Sequence, residues 1–254
     1  MDSDPKKYHH LPNGSFKNVY HSSINKPFSD LIKWRWGRTQ PEIFNFKLYK
    51  NDPKFLKENR DIPTLTWIGH STLLIQYKGV NILTDPHLTQ RASPFSFAGP
   101  KRYTSPGLSL DDLPIIDLIL ISHNHYDHLD ELTIKTIIKN QPDKPPNIFV
   151  PLKLKQWFFN LGITNITELD WQESIKFGEW EVHAVPVQHW SARTPFDRNK
   201  TLWAGWVLET EGFRFFFAGD TGYSKDFKNL GEKFGQFDLA AIPIGAYEPR
   251  WFHK

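Results

Sequence analysis

The chain has 254 residues, 39% of them hydrophobic and 23% charged, with no cysteine and a formal net charge of +3. That is enough chain to bury one large core; it is too apolar for a disordered tail, and no apolar run comes near the roughly 18 residues of a membrane span. The lack of cysteine excludes disulfides, thiolate metal sites and cysteine nucleophiles, and a charged start with no apolar signal segment behind it adds to the expectation of a cytoplasmic protein.

Residues 1–62 read as an N-terminal cover or lid. Up to residue 60 they carry 12 Lys/Arg against 6 Asp/Glu, together with many Pro, Asn and Ser and scattered aromatics such as Trp34, Trp36, Phe44 and Phe46. Their one periodic stretch is a short helix near residues 30–36. A basic, aromatic surface of this kind suits either an anionic lipid or a solvated cover. No basic run is long enough to point to nucleic acid.

From residue 63 to 254 the pattern is that of a layered α/β domain. Residues 64–70 and 71–77 alternate in β fashion, Lys78-Gly79 makes a hairpin turn, and 80–84 is a strand ended by Asp85-Pro86. Residues 117–122 are almost wholly apolar, as in a strand buried on both faces. Residues 130–140 have helical spacing at Leu132, Ile134, Ile137 and Ile138, with Asp130 as the cap. A strand at 147–150, a helix at 152–161, paired strands at 173–177 and 180–186, and strands at 202–209 and 213–218 follow. A helix at 224–234 and a strand at 239–243 complete the order. Loops leaving the ends of buried strands are where α/β proteins usually keep their chemistry.

The segment His123-Asn124-His125-Tyr126-Asp127-His128 lies directly after the apolar strand. Three imidazoles and a carboxylate within six residues are metal ligands when thiolates are absent. A tight loop lets His123 and His125 converge on one point while Asp127 and His128 face a second. Two later donors stand on separate strand ends: His189, and Asp220 between Gly219 and Thr221-Gly222. Together they complete a paired site in which His123, His125 and His189 hold one ion and Asp220 bridges to the other. His9, His10, His21, His87 and His183 have no such partners and read as solvated or core histidines.

The motif with His189 and Asp220 resembles the metallo-β-lactamase superfamily. The phrases around it resemble the branch of N-acyl-phosphatidylethanolamine-hydrolysing phospholipases D. They are Trp67-Ile68-Gly69-His70-Ser71-Thr72, Leu83-Thr84-Asp85-Pro86, Gly99-Pro100-Lys101-Arg102, Glu168-Leu169-Asp170-Trp171, Phe217-Ala218-Gly219-Asp220-Thr221-Gly222-Tyr223 and Ile244-Gly245-Ala246-Tyr247-Glu248-Pro249-Arg250-Trp251-Phe252. The resemblance implies an α/β fold, an αββα sandwich, and two zinc ions. His123, His125 and His189 would hold the first, Asp127 and His128 the second, and Asp220 both. It also implies a phosphodiesterase that yields phosphatidate and an N-acylethanolamine, with Asp127 orienting the nucleophile or taking its proton and Tyr126 reaching the substrate. The family carries one more histidine ligand beyond residue 252. The expectation is therefore a C-terminally incomplete sandwich holding one or two zincs, with His253 a weak substitute ligand.

Other readings rest on single residues. Lys101, Arg102 and Arg193 suit either a phosphate or loop-fixing contacts. His70 is read as a sheet residue in preference to one near the metals, and Asp85 as either a partner of the motif loop or a turn former. Phe95, Phe97 and Tyr103 suit an acyl-chain path, peripheral membrane contact or simple packing. The expected partner is a phospholipid or another phosphodiester, with no nucleic acid; family members also form homodimers. The rivals are a lactonase acting on a phosphorylated sugar and a metal- or lipid-binding protein without turnover.

Overall fold

Alternation of apolar side chains along a set of short strands builds two sheets that share one buried face. The computed structural model describes residues 8–20, 29–30, 33, 36–37 and 47–245. The first sheet has the order β1-β2-β3-β4-β5-β6, with β1 Thr64–Gly69, β2 Thr72–Tyr77, β3 Val80–Thr84, β4 Leu118–Leu120, β5 Asn147–Pro151 and β6 Ile166–Leu169. It is antiparallel through β3 and parallel from β3 to β6. The second sheet has the order β11-β10-β9-β8-β7, with β7 Ser174–Phe177, β8 Trp180–Val185, β9 Gly205–Thr210, β10 Phe213–Phe217 and β11 Leu239–Ala241.

Period-two patterning decides which face each side chain takes. Leu73, Ile75, Ile82, Leu118 and Leu120 point into the sandwich, where they meet Val182, Ala184, Trp206, Leu208, Phe215 and Phe217 of the second sheet. Leu74, Leu83, Ile119, Ile148 and Val150 point the other way. They pack with Leu56 of α1 (Pro53–Glu58), Ile134 and Ile137 of α2 (Glu131–Asn140) and Phe158 of α3 (Lys155–Phe159). On the far side, Leu230 and Phe234 of α4 (Asp226–Phe234) cover the second sheet. The layers are therefore αββα, as expected. Phe16, from the N-terminal segment, is itself buried in the sandwich core.

The hairpin at Lys78-Gly79 forms with both residues at positive φ, as a two-residue turn of this type requires. Several expectations shift. The strand over 117–122 shortens to Leu118–Leu120, and that over 202–209 becomes Gly205–Thr210. The helix over 152–161 shortens to Lys155–Phe159, and β11 is three residues long. Asp130 stands at the N-cap of α2 but makes no side-chain cap; its Oδ2 accepts from the Thr133 hydroxyl and the Thr89 N–H instead. The helix near residues 30–36 falls mostly outside the described residues, although 30, 33 and 36 are helical. His253 and the phrase from Ala246 onward also lie outside them. Among the described residues no helix is long and apolar enough to cross a membrane.

Candidate metal centre

Every donor of the centre leaves the end of a strand or a turn between strands. His123–His128 follow β4, Asp85 follows β3, His189 follows β8 and Asp220 follows β10. His70 sits in the tight turn between β1 and β2. The strands are rigid and buried, so their ends converge with little freedom.

Three ring nitrogens form the first cluster. His123 Nε2 lies 2.7 Å from His125 Nδ1, and His189 Nε2 lies 3.1 and 3.3 Å from the same two atoms. Donors on one tetrahedral zinc, each about 2.0–2.1 Å from the ion, stand about 3.3 Å apart. The second cluster joins Asp127 Oδ2, His128 Nε2 and His70 Nε2. Asp220 Oδ2 lies between the two clusters, 3.3 Å from His128 Nε2 and 3.9 Å from His189 Nε2.

A buried carboxylate, Asp85, orients both halves. Its Oδ2 lies 2.7 Å from His128 Nδ1 and accepts from the Ser122 hydroxyl at 2.5 Å, while its Oδ1 accepts from the Ser122 N–H at 2.6 Å. With its proton given to Asp85, the Ser122 hydroxyl is free to accept from His123 Nδ1, 2.8 Å away. Both imidazoles are thereby turned so that Nε2 faces the centre, the arrangement that carboxylates impose on metal-binding histidines. Gly219 permits this packing. Its φ is +59°, and a Cβ there would stand 2.5 Å from Ser122 Cβ.

The electrostatics favour cations. Burial and the His189 ring push the His125 imidazole down to about 3, and burial pushes His189 down to about 4 against the pull of Asp220. Burial among neighbouring imidazoles drives His123 well below its ordinary range. All three present lone pairs at neutral pH. Burial disfavours charge on His128, yet Asp127, Asp220 and Asp85 outweigh it and hold its pKa well above the usual value. Burial likewise disfavours ionised Asp127 and Asp220, but His128 beside each prevails and both stay far below the usual carboxyl range. Without a cation these carboxylates hold a proton on His128, and a cation at Nε2 answers the same negative charge. The donor set fits metal ions.

The predicted substrate contacts fare differently. The Arg193 guanidinium lies 4.0 Å over the Tyr126 ring, and its Nη1 donates to the carbonyls of Asn124 and Leu129 at 2.9 and 2.8 Å. Arg102 donates from Nε to Thr89 O and from Nη2 to His87 O. Both arginines thus make the loop-fixing contacts foreseen as their alternative role. Lys101 is exposed and pairs through its backbone with Arg91. Asp85 is a partner of the motif loop.

His70 takes its alternative role and reaches the centre rather than staying within the sheet. Other partnerships were not foreseen. His9 and His10, read as partnerless, direct Nε2 at the two oxygens of Asp170, at 2.6 and 2.8 Å. Asn18 brackets the backbone of His189, accepting from its N–H at 3.1 Å and donating to its carbonyl at 2.9 Å. The left-handed backbone of His70, φ +52° in a residue other than glycine, reflects a local demand that Gly69-His70-Ser71 signals only faintly.

Residues 80–254 match the family model described as Beta-lactamase superfamily domain. The chain is 49% identical over 199 residues to N-acyl-phosphatidylethanolamine-hydrolyzing phospholipase D 1 of Caenorhabditis elegans, covering 74% of this chain and 55% of that protein. It is 37% identical over 196 residues to the mitochondrial N-acyl-phosphatidylethanolamine-hydrolyzing phospholipase D of Saccharomyces cerevisiae, covering 74% of this chain and 41% of that one. The chain spans about half the length of the curated relatives it matches. Among solved structures, Igni18, a metallo hydrolase of the archaeon Ignicoccus hospitalis, superposes with a TM-score of 0.54 at 21% identity over 72% of this chain and 71% of its own, a likeness of fold. On its match over residues 80–254 and its αββα architecture, the chain belongs to the metallo-β-lactamase superfamily.

Proposed function

We propose that this chain carries the centre of a metal-dependent phosphodiesterase that hydrolyses N-acyl-phosphatidylethanolamine-type phospholipids. The observation that carries the reading is the six-donor arrangement of His123, His125, Asp127, His128, His189 and Asp220, in a chain 49% identical to a relative named for that reaction. His123, His125 and His189 would hold one cation, Asp127 and His128 the other, and Asp220 both. Imidazole and carboxylate without thiolate suit zinc. A pair of such ions supplies Lewis acidity to a phosphoryl group and acidifies water near neutral pH.

The chain's own residues do the rest. Asp127, kept ionised beside His128 and His70, accepts the proton of the attacking water. The water oxygen bonds to phosphorus, the bond from phosphorus to the ethanolamine oxygen breaks, and the proton held by Asp127 passes to that departing oxygen. Phosphatidate and an N-acylethanolamine leave. Arg193, stacked on Tyr126 and tied to Asn124 and Leu129, keeps the motif loop in shape while this happens. Phe95, Phe97 and Tyr103 are exposed on one loop, which supports an apolar substrate and contact with a lipid surface.

The test pairs a metal count with turnover of a fluorogenic N-acyl phospholipid. Asp127→Asn is expected to lower turnover by about 100-fold or more, while the fold is preserved by circular dichroism. Turnover of a phosphorylated sugar lactone but not of the lipid would move the reading to a lactonase. Bound metal with neither activity would make the chain a metal- or lipid-binding protein.

A further inference from the structure

We propose that Arg198, held over Trp190 beside the centre, is the residue that recognises the anionic phosphoryl group of the substrate, donating to one of its non-bridging oxygens. The inference rests on the phosphodiesterase reading given above and names the residue that reads the charge of that substrate. Of the sequence candidates for this role, Arg102 and Arg193 spend their guanidinium groups on backbone carbonyls. Arg60, Arg91 and Arg214 likewise donate to protein oxygens. Among the described residues, Arg198 is the arginine whose guanidinium makes no hydrogen bond or ion pair, and an aromatic face is its one partner.

Both the side chain and the backbone are held in place. The guanidinium carbon lies 4.2 Å from the centre of the Trp190 ring, and that ring stands edge-on to the His125 imidazole, centroids 4.3 Å apart. Stacking occupies the face of a guanidinium and leaves the N–H donors around its edge available, in a fork that matches phosphate oxygens. The Asn199 N–H donates to Ser191 O at 2.8 Å, the Ser191 N–H to Asn199 Oδ1 at 3.3 Å, and the Phe16 N–H to Asn199 O at 2.9 Å. On the other side, Asp197 accepts from the N–H groups of Arg193 and Thr194. The charge itself is unanswered. Burial lowers the Arg198 pKa and no carboxylate pulls it back. The depression of His189, led by burial, also feels the positive charge of Arg198. A phosphoryl group at the centre thus finds, one indole ring away from His125, a cation with free donors and no protein carboxylate to displace. The alternative is that Arg198 on Trp190 only shapes the loop that follows His189, which would make it a positioning residue.

The deciding variants are Arg198→Gln and Arg198→Lys in the full chain. Each protein is first titrated with Zn(II), with metal per chain read by elemental analysis, and both variants are expected to take up metal as wild type does. Calorimetry then measures binding of a short-chain N-acyl-phosphatidylethanolamine analogue in which a methylene replaces the scissile oxygen, and of its neutral methyl ester. Arg198→Gln is expected to weaken the anionic analogue by about 10–100-fold and to leave the methyl ester unchanged. Arg198→Lys, which keeps the charge without the fork, should recover part of that loss. Unchanged affinity for the anion in Arg198→Gln, or equal losses of both ligands, would overturn the Arg198 assignment, while lipid turnover by wild type would leave the phosphodiesterase reading standing. Loss of metal in Arg198→Gln would overturn the assignment too, by showing that Arg198 acts through the loop of His189. A wild type that binds neither ligand and does not turn over the lipid would overturn both.

Discussion

The two halves of the centre are built on opposite terms. The first is all imidazole and enclosed: the His189 side chain is 15% exposed, and its rings are pushed toward the neutral form by burial. The second mixes carboxylate with imidazole and opens outward, with the His70 and Asp127 side chains 44% and 38% exposed. On the proposed reading, the first half is the one that retains its ion and the second the one that exchanges and meets substrate. Enclosure shields the first position from water, whereas an exposed carboxylate can still move a proton.

Breaking what the halves share should have the largest effect. Asp85→Ala leaves the Ser122 N–H and His128 Nδ1 buried without their acceptor. It is expected to cost about 3–5 kcal/mol of stability and to abolish both metal equivalents. Denaturant unfolding and elemental analysis check this, and retention of either ion would show that the halves are oriented independently. Asn18→Ala should sharpen the contrast by touching one half alone. It removes the bracket on the His189 backbone and should weaken the first equivalent by about 10–100-fold, leaving the second unchanged in the same titration.

The smallest effect concerns the anchor of the N-terminal segment. Burial would raise the Asp170 carboxyl, but the contacts from His9 and His10 outweigh it and hold it below the usual value. A carboxyl depressed in the folded state stabilises above its unfolded pKa, and that contribution is lost as pH falls through the folded value. The stability difference between wild type and Asp170→Asn should therefore be full above about pH 4 and fade below it. Unfolding curves at neutral and acid pH measure it.

What the chain reveals in advance follows how local the information is. The motif loop was legible because four donors lie within six residues, and β4 because its apolar run continues into Ile121. The hairpin at Lys78-Gly79 was legible from its turn chemistry. β6 went unread because Ile166-Thr167-Glu168-Leu169 is short and only its two ends are buried. α1 carries a cap and a proline, Asp52-Pro53, but buries only Leu56 and so offers no periodicity. His70 and His128 meet across 58 positions, and no spacing rule spans that distance. Asp130 looked like a cap because its position is right; Thr133 and Thr89 bind its carboxylate instead, which is a matter of tertiary neighbours.

The docking of residues 8–20 also bears on the order in which the molecule can be made. His9 meets Asp170 across 161 positions, Asn18 meets His189 across 171, and Trp203 donates to Asn18 across 185. On a ribosome adding about 5–20 residues per second, the segment is made before these partners and waits about 8–37 s for them. The sheet from β1 to β6 can assemble in that interval, but the enclosed half of the centre cannot. Its last wall is the stretch at residues 8–20, folded back once these partners exist.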